Sequence, residues 1–311
     1  TESMQIRFVH RRTAAHEVYY LLNEYTEPGS VSCIFRDTGK GVPARWDPAT
    51  GDIELLSTDV RLNPDGRPVP LIAETGGQNA LIADSSALPE QLVKDVCASA
   101  FDSAGQRCSA ARVLFVQDDI ADKVIGMLAG AMAELKVGDP GLPSTDVGPV
   151  IDEAACAQIE AHIEAMQAAG QKVTRLHQNG GNGYFVPPAI IEIDSPARLT
   201  REVFGPVLHV LRYEREQLDE LIAQINAAGY GLTFGVHSRI DETIEHLARR
   251  IRAGNIYVNR NMIGAVVGVQ PFGGMGLSGS GPKAGGPLYL YRLVQGPPMN
   301  AGVMAAWDGR L

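Results

Sequence analysis

The chain has 311 residues, and its 36 acidic and 27 basic residues give a formal net charge of −9. This acidic balance argues against a general nucleic-acid-binding protein, because phosphate binding requires an excess of Lys and Arg. Apolar residues make up 45% of the chain and charged residues 20%, which is typical of a soluble globular protein and not of a disordered one.

The chain also lacks the sequence signals of a membrane or metal protein. Its longest apolar run, 262–269, is much shorter than the ~20 residues that span a bilayer, and no secretory signal opens the chain. The four cysteines, at 33, 97, 108 and 156, form no Cys-x-x-Cys pair and are too sparse for a disulfide scaffold. We therefore expect a cytoplasmic protein with neither a membrane span nor a metal site.

Strands and helices are predicted to alternate from about residue 69 onward. Apolar runs predict strands at Val69–Ala73, Ala80–Ala83, Val113–Gln117, Lys172–Leu176, Phe185–Ile193, Val207–Tyr213, Leu232–His237 and Asn255–Asn259. Helical periodicity predicts helices at Pro89–Ala104 (with Ser85 or Ser86 near its start), Ile120–Leu135, Glu153–Ala169, Gln217–Ala228 and Glu242–Arg252. This spacing predicts an α/β fold of three layers, with a mostly parallel sheet between helices.

Two regions do not follow this rhythm. Residues 1–68 mix polar stretches with Gly and Pro and stay unassigned, and the 18–22 run is compatible with helix or strand. The chain from 271 to 311 reads as a glycine-rich loop and a tail. The predicted organisation is thus an unassigned segment at 1–68, a main domain at 69–270, and a loop and tail at 271–311.

The segment Gly274-Met-Gly-Leu-Ser-Gly279 matches the G-x-G-x-x-G string of dinucleotide-binding loops. A genuine motif of this kind follows a strand, opens a helix and has an acidic residue ~20 positions later. Here a proline precedes the segment, another follows it, and the next acidic residue is Asp308. We interpret it as a connecting loop whose backbone packs closely against its surroundings.

Cys108 lies in Gly105-Gln-Arg-Cys-Ser-Ala110, between a predicted helix and a predicted strand. Small neighbours leave room for a substrate carbonyl, and the positive charge of Arg107 could favour the thiolate. A single cysteine of this kind can equally be a small buried hydrophobic residue. The local sequence alone does not decide between these two interpretations.

Four segments in the correct order resemble the signature motifs of the aldehyde dehydrogenase superfamily. They are Glu74-Thr-Gly-Gly-Gln-Asn79, Gly105-Gln-Arg-Cys108, Glu202-Val-Phe-Gly-Pro206 and Pro271-Phe-Gly-Gly274. Three longer segments, Pro70–Ala80, Phe101–Ser109 and Asn259–Gly274, are similar to the L-glutamate γ-semialdehyde (Δ1-pyrroline-5-carboxylate) dehydrogenase module of the bifunctional proline utilization A family. The resemblance covers about 63–292 and implies the fold of the aldehyde dehydrogenase catalytic domain.

The resemblance implies an NAD-dependent oxidation of L-glutamate γ-semialdehyde to L-glutamate in proline catabolism. Cys108 would attack the aldehyde, and its backbone N–H would be one oxyanion donor. Glu74 would be the general base that activates the hydrolytic water. Glu202, Phe204 and Thr75 would contact the cofactor, and the substrate carboxylate would be bound by Ser109, Gly264 and Ala265.

Each of these residues also has a purely structural interpretation. Glu74 could be a turn carboxylate, Glu202 could form a surface pair with Arg201, and Phe204 could belong to the core. Ser109 could bind a neighbouring backbone group, and Gly264-Ala265 could form a tight turn.

The sequence also departs from the superfamily before residue 69. The Pro-Trp-Asn-Phe-Pro-like segment, whose Asn is the second oxyanion donor, is not found, nor is the Lys that contacts the adenosine ribose. Ser57-Thr-Asp-Val60 could be a remnant of the superfamily's Phe-Thr-Gly-Ser-Thr-Glu-Val segment, which forms a turn from a strand to a helix. Asn63-Pro-Asp-Gly66 follows it at once, which leaves no room for the crossover helix. We therefore expect an incomplete Rossmann-like cofactor domain and an apolar face that favours a homo-oligomer.

Two hypotheses follow. The chain is either an aldehyde dehydrogenase, acting alone or with a proline dehydrogenase domain of a larger chain, or a catalytically incompetent fragment that does not bind NAD. Ester hydrolysis at Cys108 without NAD is a third and weaker possibility.

Overall fold

The computed structural model describes residues 72–178 and 181–293, together with four short strands nearer the amino terminus. These strands form two antiparallel pairs, β1 (Ile6–Arg12) with β2 (Glu17–Asn23) and β3 (Ala44–Trp46) with β4 (Ile53–Leu55). The 18–22 run, for which the sequence left helix and strand open, lies in β2. The predictions for 56–71 and for the tail beyond 293 fall outside the described residues.

One compact unit extends from Glu74 to Tyr289. It contains the predicted main domain from 74 onward and also most of the glycine-rich loop that was assigned to a separate region. The predicted boundaries at 68 and 270 stay predictions. Within the described residues, no helix has the length and apolar character needed to cross a bilayer.

A seven-stranded sheet forms the centre of this unit, in the order β11-β10-β5-β6-β9-β8-β7. All neighbouring strands are parallel except β7 and β8, which pair antiparallel. The strands are β5 (Ala80–Ala83), β6 (Val113–Gln117), β7 (Lys172–Arg175), β8 (Ala189–Glu192), β9 (Val207–Tyr213), β10 (Thr233–His237) and β11 (Asn255–Val258). The predicted α/β fold with a mostly parallel sheet is confirmed.

Burial along the central strands shows that both faces of the sheet are covered. Every residue of β5 and β10, and the first four residues of β6, are buried. Because successive side chains of a strand point to opposite faces, an unbroken buried run requires packing on both sides. The apolar runs that predicted these strands therefore reflect a layer of structure on each face.

The helices are α1 (Pro89–Phe101), α2 (Asp118–Ala133), α3 (Glu153–Ala168), α4 (Leu218–Ala227), α5 (Asp241–Arg250) and α6 (Tyr289–Leu293). The apolar stripes of α1 to α5 face the core; in α1 the buried residues include Leu92, Val96 and Ala100. Helix α6 was not predicted.

Two elements differ from the prediction for identifiable reasons. Helix α1 ends at Phe101, not at 104, because Ser103 and Ala104 have φ values of 56° and 53°, which no α-helix can contain. Its N-cap position is Leu88, which has no side-chain hydrogen bond, while the Ser86 hydroxyl donates to Asp84. The strand predicted at 185–193 shrinks to β8 because the prolines at 187 and 188 have no N–H to donate to the sheet.

The Gly274–Gly279 segment is a packed connecting loop, as the sequence indicated. The N–H groups of Met275 and Leu277 donate to the carbonyls of Gly231 and Gly229, at 3.0 and 2.8 Å. The Ser278 hydroxyl accepts the N–H of Gly231. These N–H groups are bound to the protein itself, so they are not arranged to bind a pyrophosphate.

Candidate active site

The candidate site lies at the amino edge of three neighbouring parallel strands. The 74–79 loop leads into β5, the 106–112 loop leads into β6, and the 202–206 loop leads into β9. Since the amino ends of parallel strands meet at one edge of a sheet, these loops converge although 128 residues separate Glu74 from Glu202. The motifs noted in the sequence therefore occupy one region of the molecule.

Cys108 is exposed, so the interpretation as a buried hydrophobic residue is wrong. The chain leaves α1 through three residues with left-handed φ, from Ser103 to Gly105, and this sharp turn brings the cysteine loop back over the sheet edge. The turn requires glycine at 105, where a Cβ would lie 2.1 Å from the Gly205 carbonyl oxygen. A reactant can reach the thiol from solvent.

The surroundings of Cys108 favour the protonated thiol. Burial raises the pKa of the thiol, as do the negative charges of Glu202 and Glu74, while the backbone N–H groups of Ser109 and of Cys108 itself lower it. The prediction that Arg107 promotes the thiolate is wrong, because its guanidinium is directed to the Ser103 hydroxyl and the Ile263 carbonyl. A thiol of this kind needs a nearby base before it can act as a nucleophile.

Glu74 is a carboxylate within electrostatic reach of the thiol. Its carboxylate accepts the N–H of Gly274 at 3.0 Å. Burial raises the pKa of Glu74, and the Gly274 N–H and the ammonium group of Lys283 lower it. Because the Glu74 charge acts on Cys108, the two residues share one local electrostatic environment, as their proposed roles require.

Asn79 fixes the cysteine loop to the sheet, and the sequence analysis assigned it no role. Its side-chain amide donates to the carbonyls of Cys108 and Ala110, at 2.7 and 2.8 Å. Its carbonyl oxygen accepts the N–H of Thr233, at the start of β10, at 3.1 Å. The buried amide group thus links the cysteine loop to the sheet, and its bonds to Ala110 and Thr233 are fully buried.

Glu202 is held by Arg112 and its side chain is only 15% exposed, so it is not part of a solvated surface pair. The Arg112 Nη2 and Nε atoms lie 3.1 and 3.3 Å from Glu202 Oε1, and the Gly77 N–H donates to Oε2 at 3.1 Å. A Cβ at Gly76 would lie 1.6 Å from Oε2, so the Gly-Gly pair of the motif is what admits this carboxylate. Burial raises the pKa of Glu202, and Arg112 lowers it.

Phe204 and Thr75, the other residues expected to contact a cofactor, are both exposed. The Phe204 ring is 44% exposed, which excludes its assignment to the core, and the Arg112 guanidinium carbon lies 5.1 Å from the ring centroid. The Thr75 hydroxyl donates to the Leu277 carbonyl at 2.6 Å. Thr75 can therefore offer a ligand only the lone pairs of its oxygen.

The residues expected to bind a substrate carboxylate lie on two neighbouring segments. Ser109 is buried, and its carbonyl accepts the Thr233 hydroxyl at 3.1 Å. Gly264 is half-buried and Ala265 is exposed. After β11 the chain follows α1, where the Met262 N–H donates to the Ser99 hydroxyl, and it reaches the Arg107 side chain at Ile263. The segment at 264 and 265 therefore begins beside the cysteine loop.

No motif indicated the contacts that three residues make in the site: Asn79 closes the first quoted segment without an assigned role, and Arg112 and Lys283 lie outside all four segments. Asn79 and Arg112 each directly precede an apolar strand, a position where a polar residue commonly marks the end of a loop. Lys283 lies 209 positions after Glu74, and only the folded chain brings the two together. Among the residues that the structure describes, no cluster of His, Cys, Asp and Glu could hold a metal ion.

A mostly parallel α/β sheet, with an exposed thiol and two carboxylates at its amino edge, defines the class of protein. The aldehyde dehydrogenase family model matches residues 59–295. The chain belongs to the aldehyde dehydrogenase family. A second family model, described as alpha-L-rhamnosidase, matches residues 1–59, the segment that the sequence left unassigned.

The chain is similar to two kinds of curated relative. It is 62% identical over 308 residues to the bifunctional protein PutA of Escherichia coli (strain K12). The aligned region covers 93% of this chain and 23% of that protein. It is 37% identical over 227 residues to the 1-pyrroline-5-carboxylate dehydrogenase of Geobacillus sp. (strain WCH70), covering 72% of this chain and 44% of that protein. The chain thus spans about a quarter of the first relative and less than half of the second.

Solved structures agree with this assignment. A crystal structure of a Bradyrhizobium japonicum proline utilization A variant matches with a TM-score of 0.71 and 59% identity, over 74% of this chain and 24% of that chain. A 1-pyrroline-5-carboxylate dehydrogenase structure matches with a TM-score of 0.64 and 34% identity, over 71% and 43% of the two chains.

Proposed function

We propose that this chain carries the catalytic residues of an NAD-dependent enzyme that oxidises L-glutamate γ-semialdehyde to L-glutamate. The observation that carries the proposal is the accessible Cys108 thiol within the electrostatic reach of Glu74, on a chain 62% identical to a bifunctional PutA protein. PutA relatives combine two activities, which supports a proline dehydrogenase domain as partner. A cytoplasmic location and a homo-oligomer remain part of this proposal.

Cys108 and Glu74 divide the covalent chemistry between them. The Cys108 thiol loses its proton to a base, and its sulfur forms a bond to the aldehyde carbon, giving a thiohemiacetal. The backbone N–H of Cys108 stabilises the oxygen that becomes negative. After oxidation to the thioester, Glu74 takes a proton from water as that water attacks, and the C–S bond breaks to release the acid and restore the thiol.

The residues near the thiol fit the nicotinamide end of NAD. Glu202 Oε2 accepts one protein N–H, which leaves lone pairs for a ribose hydroxyl, and the exposed Phe204 ring can pack against a planar group. NAD, when bound, supplies the acceptor for the hydride that leaves the thiohemiacetal carbon. Thr75 would accept a hydrogen bond from the same ligand.

A carboxylated aldehyde suits the two segments beside the thiol, at 109 and at 264 and 265. Ser109 offers a hydroxyl, and Gly264 and Ala265 offer backbone N–H groups, which are the donors that a carboxylate requires. The adjacent placement of the 263–265 segment and the cysteine loop supports a short, carboxylate-bearing substrate.

The test mixes the purified chain with L-glutamate γ-semialdehyde and NAD and records NADH absorbance, together with NAD affinity by calorimetry. Turnover that disappears in Cys108→Ala and persists in Cys156→Ala, a matched change at a cysteine on α3, supports the proposal. The absence of both NADH formation and NAD affinity would favour the incompetent fragment. Ester cleavage that needs Cys108 but not NAD would favour hydrolysis.

A further inference from the structure

Arg112 is a fully buried cation directly beneath the cysteine loop, and the proposed chemistry gives it no part. Arg112 is 1% exposed. Burial lowers the pKa of its guanidinium, and the charge of Glu202 raises it. A buried charge is costly unless it is paired and hydrogen-bonded. The hydrogen-bond partners of Arg112 therefore indicate which parts of the structure it stabilises.

Every N–H group of Arg112 has a partner in the loops that form the site. Nη1 donates to the carbonyls of Gly105 and Gly205, at 2.7 and 3.2 Å. Nη2 donates to the Arg107 carbonyl at 3.1 Å and to Glu202 Oε1 at 3.1 Å, and Nε also faces Oε1 at 3.3 Å. The planar guanidinium has five N–H donors in a fixed fork, which a Lys ammonium cannot reproduce.

These partners come from two loops that are far apart in the sequence. Gly105 and Arg107 directly precede Cys108 in its loop, while Glu202 and Gly205 belong to the loop before β9. The guanidinium therefore fixes the loop with the nucleophile to the loop with the carboxylate expected at the cofactor. No other side chain on the described part of the chain is shown to bond both loops at several points.

The main chain of Arg112 is fixed from the opposite side. Its carbonyl accepts the backbone N–H of His209 at 2.9 Å and faces the His209 Nδ1 atom at 3.0 Å. The His209 Nε2 atom lies 2.8 Å from Nε2 of His162. Backbone and side chain of Arg112 are thus both held, which makes it a rigid support for the loops above it.

Arg112 also pairs with one of the two carboxylates that act on the thiol. Glu202 and Glu74 are the carboxylates that act on Cys108, Lys283 faces Glu74, and Arg107 points away. The Arg112 guanidinium neutralises Glu202 in the pair, and it interacts with the Cys108 charge as well. Loss of Arg112 would expose the thiol to an unpaired negative charge.

We propose that Arg112 is a positioning residue for Cys108, which clamps the cysteine loop to the Glu202 loop and shields the thiol from the Glu202 carboxylate. This inference rests on the proposed role of Cys108 as nucleophile. A merely structural Arg112 would stabilise the fold without changing the ionisation of the thiol.

The experiment measures the rate of Cys108 alkylation by iodoacetamide from pH 7 to 10, in the full chain without NAD or substrate. The Cys108 peptide is followed by mass spectrometry so that the other cysteines do not contribute. In Arg112→Gln we expect the midpoint of the profile to rise and the rate at pH 7.5 to fall about threefold to tenfold, since one pH unit is tenfold in thiolate. In Glu202→Gln the rate at pH 7.5 rises severalfold.

The double variant separates charge from structure. Arg112→Gln combined with Glu202→Gln removes both charges, so its midpoint returns close to that of the parent chain. Faster alkylation at every pH, with no change of midpoint, would mean that Arg112 only keeps the loop closed and would overturn the proposal. Arg107→Gln is the matched control, because this neighbouring cation faces Ser103 and Ile263, and its midpoint stays that of the parent.

Circular dichroism and thermal melting establish which variants fold. If Arg112→Gln does not fold, Glu202→Gln decides, and an unchanged or raised midpoint there overturns the proposal. Failure of the proposed enzyme function has a different signature. In that case the chain forms no NADH while the alkylation midpoints move as described.

Discussion

At the scale of single residues, the site depends on backbone positions that only glycine can occupy. Gly105 has a φ of +66°, and a Cβ there would lie 2.1 Å from the Gly205 carbonyl oxygen and 2.9 Å from that of Ala100. The carbonyls of Gly105 and Gly205 are both acceptors for Arg112. The absence of a side chain at Gly105 therefore allows the cysteine loop and the loop before β9 to approach each other closely. The Arg112 side chain then bonds both loops.

We predict that Gly105→Ala destabilises the chain far more than Gly170→Ala. Gly170 has a similar φ of +81° but open space around it, so its replacement costs only the left-handed strain of about 1–2 kcal/mol. At Gly105 the clash with two carbonyls adds at least ~2 kcal/mol. Urea unfolding of both variants measures the difference, and equal losses would show that the loops separate without cost.

The sequence identified the residues that carry recognisable motifs and missed those that support them. Cys108, Glu74 and Glu202 lie in segments whose order along the chain is informative. Arg112 lies outside the motifs and Asn79 only closes one of them, and both residues bond to partners up to 154 positions away. A local pattern cannot indicate a bond to a loop that only the folded sheet brings near.

At the scale of elements, helices and strands were predictable where local signals agree. Both β6 and β9 begin and end at the predicted residues, because a polar residue or a proline stands directly before and after each mostly apolar segment. Helix α3 was predicted to within one residue, since Gly170 follows it in the left-handed conformation that ends helices. The end of α1 could not be predicted, because nothing in Asp102-Ser-Ala104 forbids a helix locally.

Asp152 is the N-cap of α3, and its carboxylate accepts the Ala155 N–H at 2.7 Å. We predict that Asp152→Ala lowers the free energy of unfolding by about 1 kcal/mol, because an N–H at the helix start loses its partner. Asp152→Ser retains a side-chain acceptor, so it changes the free energy of unfolding by only a few tenths of the effect of Asp152→Ala. Chemical denaturation compares the two, and an equal loss in both would assign the effect to charge instead of capping.

At the scale of the whole molecule, the position of the site follows from the sheet. Ligands of open parallel α/β sheets usually bind beyond the carboxyl ends of the strands. Here the candidate residues precede β5, β6 and β9 and so lie at the amino edge. The motifs indicated residues that the fold brings to one edge of the sheet, but a general rule about the fold would have placed them at the other edge.

The pH dependence of stability tests how the sheet buries its polar groups. His209 in β9 is fully buried, and this burial, together with His162, lowers the pKa of its imidazole from 6.5 to about 3. Burial also lowers the pKa of His162 and of His237. Between these pH values His209 is protonated in the unfolded chain but not in the folded chain. The free energy of unfolding therefore falls as the pH decreases below about 6.5.

We predict that, below pH 6.5, His209 lowers the free energy of unfolding by about 1.4 kcal/mol for each unit of pH decrease. His209→Asn removes this contribution to the pH dependence. Urea unfolding at pH 8, 6.5, 5.5 and 5 measures it, as the difference between variant and parent so that the carboxylates cancel. His177→Asn, at an exposed histidine, keeps the parent slope. Parallel curves for His209→Asn and the parent chain would show that water or a proton reaches the imidazole in the folded protein, and the sheet would then be open at β9.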